Sequence, residues 1–304
     1  MSVDVVLIAG PTASGKSHLA LELAARIDAT IINADSMQVY GELRTLTARP
    51  SSAEEMRAPH RLYGHVSVNT RYSVGRYLEE AAGALAEARG AKRVAIFAGG
   101  TGLYFDALTN GLSPIPPVPP EIRDTTRARF ERIGRDGFFA ELMVRDPATA
   151  SKLRPSDTQR ILRAMDVLEA SGRPLSQWQK LAGKPALDGL RMQCFVIAPP
   201  REVLVERIER RFETMIKQGA LEEARPLMGL DPTLPAAKAL GLPQLRRHLA
   251  GEITLADAIA GAQLATKQYG KRQMTWFRNR MKGWHWVAET DLSNFVTSMA
   301  RDLS

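Results

Sequence analysis

The run Gly10-Pro-Thr-Ala-Ser-Gly-Lys-Ser17 constrains this 304-residue chain more than any other feature. It carries the pattern G-x-x-x-x-G-K-[ST] between an apolar strand and a helix. Val3 to Ala9 is a short β-branched run that reads as a buried parallel strand. Residues 16 to 27 then place Leu19, Leu23 and Ile27 on one helical face. In that setting the glycines let backbone N–H groups turn inward around phosphate oxygens, and the helix N-terminus adds partial positive charge. Gly10, Pro11, Thr12, Ala13, Ser14, Gly15, Lys16 and Ser17 are therefore the expected cradle. Lys16 is expected on the terminal phosphate, and the Ser17 hydroxyl on Mg²⁺. The loop specifies a diphosphate-shaped group, not a nucleotide. The chain has no guanine-reading Asn-Lys-x-Asp segment and no later apolar strand ending in paired carboxylates.

Further strands are expected at Thr30 to Ala34, Arg93 to Ala98, Met192 to Ala198 and Trp284 to Val287. Helices follow through Leu103, Phe105 and Leu108 and from about 201 to 218, the second closed by Gly219. Alternating strands and helices predict an α/β fold, a P-loop NTPase-like parallel sheet with flanking helices. The alternation breaks at Pro114, Pro116, Pro117, Pro119 and Pro120, a stiff extended segment. Residues 121 to 181 then read as helical, with Pro147, Pro155 and Pro174 as punctuation. The expected division is a catalytic core of residues 1–114 and 191–304, with a basic C-terminal helical region, and a helical insertion domain of residues 115–190.

Reactive groups in an open parallel sheet gather at the carboxyl ends of the strands. Asp35 and Thr101 both fall there. Asp35 has two open roles, a metal ligand or a general base. Thr101 is either a helix cap or a site residue. Arg207 and Arg211, four apart, share a helical face. They would neutralise a departing diphosphate or pair with Glu206, Glu209 or Glu213 on a solvated surface.

The formal net charge of +8 suits a polyanionic partner. Between Ala258 and Ala288 there is no acid, while Lys267, Lys271, Arg272, Arg278, Arg280 and Lys282 accumulate among Tyr269, Trp276, Phe277, Trp284 and Trp286. Bases interleaved with aromatics suit a phosphate backbone with unstacked bases, with Phe277 and Trp286 expected in the core. The lone Cys194 excludes an intrachain disulfide and, in its apolar run, reads as buried. No apolar stretch has the length of a membrane span, and the N-terminus lacks signal-peptide flanks, so a cytoplasmic protein without membrane partners is expected. The working form is expected to be a monomer.

Several segments together, GPTASGKSHLALELA, INADSMQVYGEL, APHRLYGHV, FAGGTGLYFDALTNGLSP, SDTQRILRAMDVLEASGRPLSQWQ, RIERRF and TKQYGKRQMTWFRN, resemble the tRNA dimethylallyltransferase (tRNA isopentenyltransferase) family over nearly the whole chain. The resemblance implies transfer of a dimethylallyl group from dimethylallyl diphosphate, with Mg²⁺, to the exocyclic amine of the adenosine immediately 3′ of the anticodon in tRNA. By that resemblance Asp35 is the base on the amine, Thr101 its partner beside the flipped adenine, and Arg211 the arginine on the diphosphate. Asp35, Ser36, Met37, Gln38, Thr101, Arg123, Gln159, Arg160, Ile161, Leu162 and Arg163 fall where the family contacts tRNA, and Lys271 and Arg272 of the basic tail join them. One segment departs: where many members carry a Val-Gly-Tyr-Arg-Gln-like run, this chain reads Ala239-Leu-Gly-Leu-Pro-Gln244, and Pro243 removes a backbone donor. No zinc finger of the eukaryotic type follows, which implies the bacterial form. The rival readings are a free adenine-nucleotide isopentenyltransferase, a P-loop small-molecule kinase, and a nucleic-acid-binding protein with a vestigial loop.

Overall fold

The structure, a computed structural model, describes residues 3–288 and 295–299. Apolar β-branched runs set the sheet. β1 (Val5–Ala9), β2 (Ala29–Asn33), β3 (His60–Arg61), β4 (Val94–Gly99), β5 (Met192–Ile197) and β6 (His285–Val287) lie in the order β3-β2-β4-β1-β5-β6, every pairing parallel. β1 is central and none of its side chains is exposed. Side chains alternate across a strand. Val5, Leu7 and Ala9 accordingly enter one apolar layer and Val6 and Ile8 the other.

Helices cover both layers, as a parallel sheet requires. On one face lies α1 (Lys16–Ile27), whose Leu19 and Leu23 are buried. A short α2 (Ser52–Arg57), held by a capping box from Ser51 and Glu54, precedes β3. The other face takes α3 (Val74–Gly90) and α4 (Gly102–Asn110).

Residues 110–185 form a compact unit of their own, apart from residues 1–109 and 186–304. It contains α5 (Pro120–Arg145), α6 (Pro147–Ala150), α7 (Thr158–Ser171) and α8 (Leu175–Trp178) around Phe138, Leu142, Ile161 and Met165. Pro120 opens α5 at a position where a missing N–H costs nothing. Gly134, at φ 71° and ψ 173°, breaks α5 into two helices that meet at a kink. Arg129 and Arg145 both pair with Glu141 and Glu169 across this unit.

After β5 come α9 (Arg201–Lys217), α10 (Ala220–Ala224), α11 (Leu242–Leu249) and the long α12 (Leu255–Arg280), which pack on the larger layer with Phe212, Leu242, Leu245 and Phe277 buried. Pro243 stands in the first turn of α11, where its N–H would have no intrahelical acceptor, and Leu242 before it is wholly buried. The helix thus absorbs the departure in this segment. Trp286 is half-buried against the core, as is Cys194, whose thiol burial pushes up to about 11. Trp284 lies just before β6, and β3, too short to leave a periodic trace in the sequence, adds a strand beyond those expected.

Candidate active site

Register places the site. Ala9 pairs with Gly99 and Asn33 with Ala98, so the adjacent strands β2, β4 and β1 end at one level and release their loops side by side. From β1 comes the phosphate loop. Ala13 (φ 63°) and Gly15 (φ 89°) take left-handed conformations that curl it back, and the Ser14 N–H donates to the Pro11 carbonyl at 3.2 Å. The Ser14 hydroxyl is buried under the loop and, among the described residues, has no hydrogen-bond partner. α1 begins at Lys16, so its first-turn N–H groups have no acceptor within the helix and face the cradle. Lys16 Nζ donates to the Pro11 carbonyl at 3.3 Å. Desolvation pulls its titration down to about 8, against the Asp35 carboxylate, which raises it, and with Arg211, which lowers it. Ser17 is exposed in the first turn.

The loop after β2 presents Asp35. Asn33, wholly buried, braces it: its amide donates to the carbonyls of Asp35 (2.9 Å) and Leu62 (3.0 Å), and its oxygen accepts from the Asp35 N–H (2.8 Å). Asp35 Oδ1 accepts from the Met37 N–H at 3.0 Å. Oδ2 faces Gly100, where a Cβ would stand 3.1 Å from it. The loop after β4 presents Thr101. Its hydroxyl accepts from the Ser36 N–H (2.9 Å) and meets Ser36 Oγ at 3.2 Å, so it joins the β2 and β4 exits instead of merely capping α4. Gly99 allows this closeness, since a Cβ there would lie 2.0 Å from the Ala34 backbone.

From α9, Arg211 Nη1 donates to Thr12 Oγ1 at 3.4 Å. Burial lowers its pKa and Asp35 raises it, so its charge and that carboxylate act on each other. Arg207 occupies the same helix one turn earlier, and Arg210 reaches Glu206 at 3.9 Å on an exposed surface.

Three residues of α12 complete the enclosure, and the sequence reading did not assign them to it. Tyr269, Gln273 and Trp276 recur at i, i+4 and i+7, which puts them on one face. Gln273 Oε1 accepts from the Thr12 N–H at 3.0 Å while Nε2 donates to the Gly100 carbonyl at 2.8 Å. The Trp276 ring covers Gly102, where a Cβ would lie 2.3 Å from it. The Tyr269 phenol is pushed well above its usual range by burial and by Asp35, opposed by a hydrogen bond with Thr101 and by Arg272, whose guanidinium lies 5.8 Å from its ring centre. The sequence pattern places Tyr269 and Trp276 in a basic, aromatic surface for bases. Their helical spacing was the available signal.

Other candidates lie elsewhere or are occupied. The Gln38 amide donates to the Thr47 and Ala48 carbonyls, each at 2.9 Å, and is buried. Met37 packs partly against the core. Lys271 and Arg272 are exposed. Between α9 and α12 runs a groove of about 460 Å³, with Leu204, Ile208 and Met274 among its apolar lining and Arg201, Lys267, Lys271 and Arg278 contributing charge. Within the helical unit, Arg123 is on α5, and Gln159, Arg160, Ile161, Leu162 and Arg163 are on α7. Ile161 is sealed in that unit's core, Leu162 is half-buried, and Gln159, Arg160 and Arg163 are exposed. Arg160 reaches Asp157 at 3.4 Å. Partial desolvation lowers the Arg163 pKa, with Asp166 opposing and Arg123 assisting. Among the described residues no cluster of three or more His, Cys, Asp or Glu could hold a metal.

Comparison with known proteins agrees with this architecture. The IPP transferase family profile matches residues 38–280, and an isopentenyl transferase profile matches residues 3–70, the segment with the phosphate loop and Asp35. Proteins named tRNA dimethylallyltransferase from Nitrobacter hamburgensis and Azorhizobium caulinodans are 51% and 55% identical to this chain, covering 96% and 92% of it and 94% and 90% of themselves. A solved tRNA isopentenylpyrophosphate transferase from Bacillus halodurans superimposes with a TM-score of 0.69 at 26% identity, covering 99% of this chain and 97% of that one. A eukaryotic dimethylallyltransferase acting on tRNA gives 0.82 at 26% identity, covering 99% of this chain and 77% of that one. With a phosphate loop, a braced carboxylate and a buried arginine at one sheet edge, and with relatives this similar over nearly its full length, the chain belongs to the IPP transferase family, that of the tRNA dimethylallyltransferases.

Proposed function

We propose that this protein transfers a dimethylallyl group from dimethylallyl diphosphate to the exocyclic amine of the adenosine immediately 3′ of the anticodon in tRNA, releasing diphosphate, and that it does so in the cytoplasm. Among the described residues, no helix is long and apolar enough to cross a membrane. The observation that carries the proposal is the meeting of opposite charges at the ends of β2, β4 and β1: Asp35 on one side, Lys16 and Arg211 on the other, with the Asp35 charge acting on both cations.

In the reaction the amine nitrogen bonds to the first carbon of the donor as the bond from that carbon to the diphosphate oxygen breaks. Lys16, Arg211 and the N–H groups of the loop hold the departing charge, which makes diphosphate a competent leaving group. Asp35 accepts the proton that the amine gives up, a contribution of roughly 10²–10⁴-fold for a poor nucleophile. Its backbone is fixed by Asn33, and Thr101, bonded to Ser36, stands beside it. The adenine has to leave its stack to reach such a site. Mg²⁺ suits the donor set: Ser17 offers one hydroxyl, and a small cation that keeps its water takes other ligands from substrate phosphates. When bound it would add positive charge at the diphosphate. The exposed Lys271 and Arg272 on α12, and Arg123, Gln159, Arg160 and Arg163 on the helical unit, are the surfaces proposed for the tRNA backbone.

A free nucleotide would need neither the helical unit nor the acid-free basic stretch from Ala258 to Ala288, which favours tRNA as acceptor over AMP. The test is incubation with labelled dimethylallyl diphosphate and either unmodified tRNA or AMP, followed by nucleoside analysis. Prenylated adenosine recovered from tRNA and not from AMP is expected. Brisk ATP consumption with no prenyl transfer would replace this reading with a kinase.

A further inference from the structure

We infer that Gln273 is a positioning residue that yokes the diphosphate cradle to the acceptor loop, so that donor carbon and adenine amine are held at a fixed separation. The inference rests on the reaction proposed above and adds a residue that touches neither substrate. Gln273 is only 6% exposed although it lies on a helix whose neighbouring residues, Lys271 and Arg272, are exposed. Both ends of its amide are engaged, and on different loops. Oε1 takes the N–H of Thr12, the same residue whose hydroxyl receives Arg211. Nε2 gives its hydrogen to the carbonyl of Gly100, the residue between the close approach at Gly99 and Thr101.

The surroundings are built to admit this one side chain. A Cβ on Gly100 would stand 2.4 Å from Gln273 Nε2 and 3.1 Å from Asp35 Oδ2, so glycine is what lets amide and carboxylate converge on a single peptide. Neither contact is local, for Gln273 is separated by 261 and 173 positions from its two partners. An amide that merely filled space would leave such atoms to water or to its own helix. Here each loop uses a backbone group that the sheet leaves over at the strand ends. Transfer between two bound molecules depends on holding their reacting atoms in line, and an error of about 1 Å can cost about 10²-fold in rate.

The experiment measures single-turnover transfer to tRNA by wild type, Gln273→Met and Gln273→Glu, with separate titrations of donor and tRNA binding and a thermal melt. Gln273→Met keeps the bulk and loses both hydrogen bonds. It is expected to bind each substrate within about twofold of wild type and to transfer about 10- to 100-fold more slowly. Gln273→Glu supplies the conservative rescue. Its neutral carboxyl can accept from Thr12 and donate to Gly100, whereas its ionised form sets an oxygen against the Gly100 carbonyl. Its rate relative to wild type should therefore rise from about pH 8 to about pH 6, while the Gln273→Met ratio stays level. The charged or titratable groups around the position, Asp35 from the β2 exit, Lys16 from α1, Arg211 from α9 and Tyr269 on α12, are common to all three proteins, so the level Gln273→Met ratio controls for their own titration.

A Gln273→Met rate within about twofold of wild type overturns the inference. So does a Gln273→Glu ratio that is level with pH. If Gln273→Met loses both binding steps together with its melting transition, the Gln273→Glu ratio decides between yoke and filler. Absence of product from the wild type would sink the proposed reaction instead, and product from the wild type with an unimpaired variant would sink only the role of Gln273.

Discussion

Raising the pH from about 7 to about 9 should weaken donor binding through Lys16 alone. Its ammonium is lodged at the Pro11 carbonyl, and desolvation draws its titration from 10.5 to about 8, with Asp35 opposing and Arg211 assisting. In the empty protein it is then half neutral at about pH 8 and roughly nine-tenths neutral at about pH 9. A diphosphate placed against it favours the cation, so binding in this range draws in a proton. The expected loss of affinity between about pH 7 and about pH 9 is roughly tenfold. The donor's own last ionisation, at about 6 for a phosphate, is complete over most of this range. Cys194 titrates near 11, and Tyr63, Tyr72, Tyr104 and Tyr269 are all pushed upward, out of the window. Calorimetric titration with dimethylallyl diphosphate at constant Mg²⁺, in two buffers of different ionisation enthalpy, reads both affinity and proton uptake. Lys16→Arg, protonated throughout, should show a flat profile. Constant wild-type affinity without proton uptake, or the same fall in Lys16→Arg, would refute the reasoning. The effect on folding has the opposite sense. Between about pH 8 and 10.5 the unfolded chain binds the proton more readily than the native one, so this residue favours the native state increasingly as pH rises through that window.

Asp35→Ala should slow transfer at least about 100-fold while tRNA affinity, measured by filter binding, stays near that of the wild type; undiminished turnover would remove Asp35 from the role of base. Gly99→Ala should destabilise the protein by about 1–3 kcal/mol, because its Cβ would lie 2.0 Å from Ala34 backbone atoms that already hydrogen-bond across β2 and β4. A melting curve identical to wild type would show that the two strand exits can part without loss.

What the sequence made legible was whatever local pattern and chemistry say together. The phosphate loop sits between a strand and a helix that are each recognisable alone, and Asp35 and Thr101 follow apolar runs that could only be central strands. The proline-rich segment before α5 and the close of α9 by Gly219 (φ 94°) are likewise local facts. Hidden were partnerships that depend on register. Nothing around residue 273 announces that its amide will meet Thr12 and Gly100, and nothing around Gln38 announces that its amide will tie down the 47–48 backbone. The Thr101 hydroxyl was ambiguous between helix cap and site because only the pairing of β2 with β4 brings Ser36 to it. β3 escaped notice because two residues cannot express an alternation.

The central position of β1 has a consequence for how the chain is made. A ribosome releases this strand before the other strands of the sheet, and its flanking partners β4 and β5 begin only at Val94 and Met192. At synthesis rates of roughly 5–20 residues per second, Val5–Ala9 waits on the order of 10–40 s before both its edges can be covered. During that interval this apolar strand lacks both partners until β4 is made, and then the partner on its β5 edge. The element made directly after it is α1, which covers only the Val6 and Ile8 side, so the other face of the strand stays open until the later helices are made.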